Sequence, residues 1–393
     1  MNMVKDVVIV SAVRTPMGSF LGGLSNVSAV DLGSIAIKGS LDKIKLSPEL
    51  VNEVFFGNVV QAGLGQAPAR QAAINAGISS STPCTTVNKV CSSGLKSVML
   101  AAQSISLGIN DVVIAGGMEN MSQIPHYINI RQPHKYGAKS ILDGLQHDGL
   151  TDVYCDKAMG VLGDKCAKEF NFTREDQDKY AIQSYKRASN AWVEGKFEDE
   201  IIPVKIIHRN GNEELISEDE EYKNINFDKV SKLRPAFGKD GTVTAANAST
   251  ISDGASSIIL MSKQKCSELN LTPIATIKDY CDAAQDPEWF TTAPSVAVNK
   301  ILNKTGLTIK EVDFFEFNEA FSVVALANMK ILGLKDTNVN VNGGAVSLGH
   351  PLGCSGARIL TTLCHILNNN EAKRGIAAIC NGGGGASAIL IET

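Results

Sequence analysis

Apolar positions along this chain fall into two recurrent patterns, short β-branched runs and longer stretches with helical spacing, and the two alternate. Val7–Val10, Val112–Ala115, Phe314–Phe317 and Ile376–Cys380 read as strands. Leu95, Val98, Met99, Ala102 and Ile105 recur at the three- and four-residue spacing that puts them on one face of a helix. Such alternation predicts an α/β fold with buried sheets.

The two ends of the chain repeat one plan. Cys91-Ser92-Ser93-Gly94 opens the helix just described, and the strand Val112–Ala115 after it is expected to stop at Gly116-Gly117. Gly353-Cys354-Ser355-Gly356 opens a second apolar helix through Leu367, and the strand Ile376–Cys380 is expected to stop at Gly382-Gly383. A Gly-rich turn, a helix, a strand and paired glycines thus occur twice, which predicts a duplicated αβ unit. Two such units facing each other would bring the helix starts of both halves towards one cleft.

Between them, roughly residues 122–250 are richer in charge, Tyr and Asn. This stretch holds a helix capped by Thr173 with Asp176 three positions on. Ala181, Tyr185, Ala188 and Trp192 would share that helix's buried face, and the polar tract Asn210–Lys232 follows. The stretch reads as a surface excursion that supplies a ligand-binding wall.

Composition narrows the function classes. With 393 residues, 44% of them hydrophobic, the chain can bury a large core in two or three domains or in one duplicated pair. The net charge of −4 lacks the basic excess of a nucleic-acid binder, and no apolar run approaches the ~20 residues that span a bilayer. Neither a nucleic acid nor a membrane is therefore expected as a partner. Only six residues precede Val7, too few for a targeting peptide, so a cytoplasmic location is expected, with a processed mitochondrial form as the alternative. The nine cysteines include no CxxC pair, which argues against a zinc ribbon or thioredoxin-like site. Most should be reduced, small core residues.

Four segments are exceptions with chemistry in them. Cys91 lies where a strand-like approach meets a helix, and a helix N-terminus favours a thiolate by ~0.3–1 kcal/mol. His350 stands among glycines in Gly349-His350-Pro351, where backbone or ligand can approach closely; His365, inside an apolar helix, reads as core. Cys380 ends a strand before Asn381-Gly382-Gly383-Gly384-Gly385, the strand end at which open α/β sheets bind ligands. Asn318 follows the strand Phe314–Phe317 and could orient a water or a base. No P-loop pattern occurs.

Together these segments resemble the thiolase family, in family order and over nearly the whole chain. The matching motifs are Asn88–Gly94, Gly116-Gly117-Met118-Glu119, Asn247-Ala248-Ser249, Asn318-Glu319-Ala320-Phe321, Gly349-His350-Pro351 and Cys380–Gly384. Within the family the chain looks most like the eukaryotic branch that acts on acetoacetyl-CoA. The resemblance implies duplicated αβ halves in an αβαβα layering with an inserted loop domain. It divides the chain into 1–121 with 251–271, a loop domain at 122–250, and 272–393.

The resemblance also implies a reversible ping-pong condensation of two acetyl-CoA to acetoacetyl-CoA and CoA. Cys91 would be the acyl-carrying nucleophile, His350 its base and Cys380 the second acid/base. Asn318 would hold a water beside His350, and the amides of Cys91 and Gly382 would form a second oxyanion site. The four glycines from 382 to 385 would keep the thioester's path clear of any Cβ. Coenzyme A would be held at Tyr185, Lys229 and Ser249 as substrate or product, with no covalently bound cofactor. Met159, Phe290 and Phe321 would shorten the acyl pocket. A potassium ion would sit at Tyr185, Ala245, Ala246, Ala248 and Val346, and a homotetramer built from dimers is implied. Ala158 departs from a histidine found in many family members beside the pantetheine path, and Thr291 stands near Phe290 where the mitochondrial branch, in the resemblance, has a proline that bears on use of 2-methyl-branched acetoacetyl-CoA. A thiolase for longer 3-ketoacyl chains and a non-catalytic acyl-CoA binder are the rival readings.

Overall fold

The computed structural model of the chain describes residues 5–208 and 210–393. Nine principal strands share one hydrogen-bonded sheet: β1 (Val7–Arg14), β2 (Glu53–Gly57), β3 (Cys84–Val87), β4 (Val112–Asn120), β5 (Ser252–Ser262), β6 (Ala275–Ala284), β7 (Phe314–Phe317), β8 (Arg374–Asn381) and β9 (Gly385–Glu392). Their order is β7-β8-β9-β6-β1-β5-β4-β2-β3, and the two-residue strand Gly18–Ser19 pairs with one end of β5. The helices that matter here are α1 (Ala29–Ile44), α2 (Ser93–Ser106), α3 (Met159–Glu169), α4 (Arg174–Val193), α5 (Ala293–Thr305), α6 (Ser322–Leu332) and α7 (Leu352–Asn369).

The duplication appears in the strand pairing. In the first half β2 runs parallel to β4, β4 antiparallel to β5, and β5 antiparallel to β1. In the second half β7 runs parallel to β8, β8 antiparallel to β9, and β9 antiparallel to β6. The halves match strand for strand, with β3 as an extra edge strand in the first. They join where Val7–Ile9 pairs with Ala275–Ile277.

The layers follow from which faces are apolar. Leu95 and Val98 of α2 and Leu360 and Leu363 of α7 share one core with Ile258, Ala377 and Ile389, so both helices lie between the two half-sheets. Helix α1 covers the other side of the first half-sheet, and α5 and α6 cover that of the second. The result is the expected αβαβα order.

One expectation is corrected. Strand β4 does not stop at Gly116-Gly117 but continues, wholly buried, to Asn120. A Cβ on Gly116 would lie 2.1 Å from the Ser256 carbonyl oxygen, and one on Gly117 would lie 1.9 Å from that of Gly353. These glycines admit the backbones of β5 and α7 rather than make a turn. Gly117→Ala should therefore destabilise the fold by roughly 1–3 kcal/mol, as overpacking does. It would be read as a lower urea midpoint at unchanged m-value; an unshifted midpoint would refute the close-approach explanation.

From Met121 to Ile251 the chain leaves the sheet, at the point where the second half has only the hairpin Gly382–Gly384. Helix α4 carries the expected capping box between Thr173 and Asp176. The excursion is clamped to the sheet by Arg14, whose fully buried guanidinium bonds Glu200 at 2.5 Å and Asp219 at 2.6 and 2.9 Å. A charge buried so deeply is tolerable only with such partners. Among the described residues no helix is long and apolar enough to cross a membrane.

Candidate active site

Strand β3 ends at Val87 and α2 begins at Ser93, and the turn between them takes Val90 to φ 48°. That left-handed conformation is costly for a β-branched residue and marks a constrained approach to Cys91, which follows, half-buried. Burial pushes the Cys91 thiol up to about 12, opposed by hydrogen bonds from the backbone N–H groups of Gly382 and of Cys91 itself. The pull of the helix start towards a thiolate is small beside this penalty. Ser92, not Cys91, occupies the N-cap position, and the dipole's ~0.3–1 kcal/mol is outweighed by lost solvation.

His350 comes after the short helix Ala345–Leu348, through Gly349 at φ 109°. Its Nδ1 lies 2.6 Å from Ser355 Oγ, and that hydroxyl lies 2.8 Å from the Pro351 carbonyl. The hydroxyl's one proton goes to the carbonyl, so Ser355 accepts from Nδ1–H and Nε2 is left unprotonated. The tautomer is assigned from this network. Burial, with Arg358 nearby, pulls the imidazole down to about 3, so His350 is a neutral base at ordinary pH. Asn318 Nδ2 lies 3.4 Å from Nε2, and its Oδ1 is buried without a partner among the described residues. Cys380, one residue from the end of β8, has its thiol raised well above the ordinary range by burial and then by Cys91.

One cavity of about 800 Å³ is lined by Cys91, His350, Cys380 and Gly382 together with Met159, Phe290 and Phe321. Nucleophilic and basic groups from both halves therefore meet on one surface, with Asn318 behind His350 rather than on the wall. The Phe290 and Phe321 rings stand 6.5 Å apart at 67°, and Phe237 meets Phe321 edge-on at 6.1 Å. Phe237 lines the cavity and was missed in the sequence. No local pattern marks it; only the fold brings its ring to Gly160, where a Cβ would come within 2.1 Å.

The four-glycine run splits into two roles, which corrects the expectation that all four clear a ligand's path. At Gly382 a Cβ would meet nothing closer than 3.8 Å, so the protein leaves room there and only a bound ligand would object. Gly383 and Gly384 have φ near +80° as the hairpin requires, and a Cβ on Gly385 would lie 2.6 Å from the Asn381 side chain.

Ser249, Ala245, Ala248 and Ala158 are on the cavity wall. Tyr185 is not. It is 2% exposed and packs with Ala181 and Val346, because its place on the buried face of α4 sends it inward. Lys229 is exposed on the short helix Phe227–Val230, off the wall. Of the residues expected at potassium, Ala246 and Val346 are buried off the cavity wall, Val346 packing with Tyr185, and the carbonyls of Ala245 and Ala246 accept no hydrogen bond among the described residues. Glu319, quoted above only as part of a motif, is fully buried. It accepts hydrogen bonds from Tyr180 Oη, Ser184 Oγ and Asn340 Nδ2, each at 2.8 Å, and from the Val346 N–H at 3.1 Å. It ties α4 to the segments carrying Asn318 and His350. His365 bonds the Ala12 carbonyl at 3.0 Å, the core role expected for it.

Comparison with known proteins places this geometry. Residues 7–264 match the model for the thiolase N-terminal domain and residues 271–393 that for the thiolase C-terminal domain. Acetyl-CoA acetyltransferase 2 of Arabidopsis thaliana is 54% identical over 391 residues, 99% of this chain and 97% of its own. The cytosolic acetyl-CoA acetyltransferase ERG10 of Gibberella zeae is 53% identical over 388 residues, 98% of each chain, and other relatives are named as mitochondrial. The crystal structure of the Acat5 thiolase from Ascaris suum in complex with coenzyme A superposes with a TM-score of 0.95 at 47% identity, covering 99% of this chain and 100% of that one. With both domain models matched and relatives alike over their full length, the chain belongs to the thiolase family.

Proposed function

We propose that the chain is an acetyl-CoA C-acetyltransferase that joins two acetyl-CoA to give acetoacetyl-CoA and CoA, reversibly, through an acetyl group carried on Cys91. The observation that carries this reading is the convergence of Cys91, His350, Cys380 and Gly382 on one cavity. Its relatives' names and full-length similarity support the same activity.

The protons can be followed through the cycle. Both thiols rest neutral, and His350 Nε2 is a neutral acceptor. Cys91 Sγ attacks the thioester carbonyl as its proton passes to Nε2. The departing CoA thiolate takes the Cys380 proton, which leaves Cys380 as the thiolate. That thiolate removes an α-proton from the second acetyl-CoA, and the carbanion attacks the acetyl-Cys91 carbonyl. Cys91 leaves and regains its proton from His350. Charge on the two substrate oxygens is met at different places: His350 with a water held by Asn318 Oδ1, and the amides of Cys91 and Gly382. Donors of this kind are worth ~3–4 kcal/mol each.

Ser249 would contact the pantetheine arm from the wall, and Lys229 with Lys232 and Arg234 would meet the phosphates at the surface. The free carbonyls of Ala245 and Ala246 suit an oxygen-liganded potassium ion, which would brace this loop against α4. A cytoplasmic location and a homotetramer built as a dimer of dimers complete the proposal, the latter supported by β3, whose outer edge is unpaired among the described residues at the end of the sheet. The pairing pattern supports the three-part division at residues 121, 251 and 271.

The Phe237, Phe290 and Phe321 rings favour a short acyl group. Thiolysis of acetoacetyl-CoA should exceed that of 3-ketohexadecanoyl-CoA by at least about 100-fold in kcat/KM, a difference of ~2.7 kcal/mol. Comparable rates on the long chain would overturn the short-chain assignment.

A further inference from the structure

The two cysteine segments are stitched together by a side-chain pair that takes no part in the proton transfers above. Ser92, next after Cys91, is fully buried, and its Oγ lies 2.9 Å from Asn381 Oδ1. Asn381, next after Cys380, places Nδ2 2.8 Å from the Gly382 carbonyl oxygen. That carbonyl only accepts, so Nδ2 must face it and Oδ1 must face Ser92. The Ser92 hydroxyl is therefore the donor, with the Ile379 carbonyl at 3.3 Å as a longer second acceptor.

A second link lies on the other flank of the nucleophile. Lys89 Nζ donates to Asp282 Oδ1 at 2.7 Å, Ser387 Oγ at 2.8 Å and the Ala386 carbonyl at 3.0 Å, all in the second half of the chain. Segment 89–92 is thus held from both sides against β8 and β9. The hairpin it faces has little stiffness of its own, since Gly382 to Gly385 contribute no side chains.

We propose that Ser92 and Asn381 are positioning residues whose hydrogen bond fixes the Gly382 amide against Cys91 and so sets the oxyanion site formed by these two amides. The inference rests on the acetyl-Cys91 reading given above. An oxyanion donor works only within a few tenths of an ångström of its mark, and a misplacement of about 1 Å can cost roughly 100-fold.

The test uses Ser92→Ala, Asn381→Ala and the double variant of the full chain. Thiolysis of acetoacetyl-CoA by Ser92→Ala should show kcat about 10-fold lower with KM changed less than about twofold, because a transition-state contact is lost rather than substrate binding. Asn381→Ala should lose more, since it frees the hairpin as well, and the double variant should be no worse than Asn381→Ala alone. An independent readout is alkylation of Cys91 by iodoacetamide against pH. A displaced Gly382 N–H no longer favours the thiolate, so the profile of Ser92→Ala should move to higher pH. Unchanged kcat and alkylation profile in Ser92→Ala, or strictly additive losses, would overturn the inference. Failure of the underlying reading looks different: the unaltered protein itself would then take no acetyl group from acetyl-CoA.

Discussion

Cys91→Ala is expected to lower acetoacetyl-CoA thiolysis by roughly four orders of magnitude or more, the scale on which loss of a covalent nucleophile is felt. The cavity would gain little volume, so folding should survive and circular dichroism should be unchanged. Cys91→Ser should fare scarcely better. An alcohol is far less acidic than a thiol, and burial makes His350 a weaker base than a free imidazole. The same proton inventory predicts a pH profile. With its thiol pushed up to about 12, Cys91 in the free protein should react with iodoacetamide at a rate still climbing at pH 9. The sign follows from burial: the charged form is the one penalised, so the reactive thiolate grows in only as pH rises. A plateau near neutral pH would mean a resting thiolate and would remove His350 from the role of base.

Cys380→Ser should separate the two halves of the reaction. Without a thiolate to take the α-proton, both condensation and exchange of acetyl-CoA methyl protons with deuterium oxide should fall by about 10²–10⁴-fold. Acetylation of Cys91 by an aryl thioester should persist, because an aryl thiolate departs without needing a proton. Acetylation by acetyl-CoA should slow, since Cys380 no longer protonates the departing CoA. A variant that kept its methyl-proton exchange would show that another group is the base. Loss of aryl-thioester acetylation as well would make Cys380 part of the nucleophile's own support.

The parts of this site that could be read from sequence are those where chemistry and local pattern coincide. Cys91 at a strand-to-helix turn, His350 between glycines and Cys380 at a strand end each carry a local signature, and the repeated turn-helix-strand plan predicted that they would face one cleft. The long-range features were not legible. Gly116-Gly117 looked like a strand end, yet their lack of side chains serves backbones 140 and more residues away. Tyr185 was placed correctly on the buried face of α4, but only the fold shows that this face turns from the cavity into the core. Ser355, which fixes the His350 tautomer, and Glu319, which gathers four donors, are ordinary polar residues whose partners are set by packing. How strongly the site opposes a Cys91 thiolate was not legible for the same reason: a helix start is visible in sequence, whereas the loss of solvation around the thiol is not.

The central claim is that Cys91 carries the acyl group, and the most direct measurement is to find it there. The protein would be mixed with isotopically labelled acetyl-CoA, quenched in acid, digested and analysed by mass spectrometry. The account predicts one labelled acetyl group, on the peptide containing Cys91, that disappears when free CoA is added before the quench. An acetyl group on Cys380, or none on any peptide from a protein that still cleaves acetoacetyl-CoA, would contradict it.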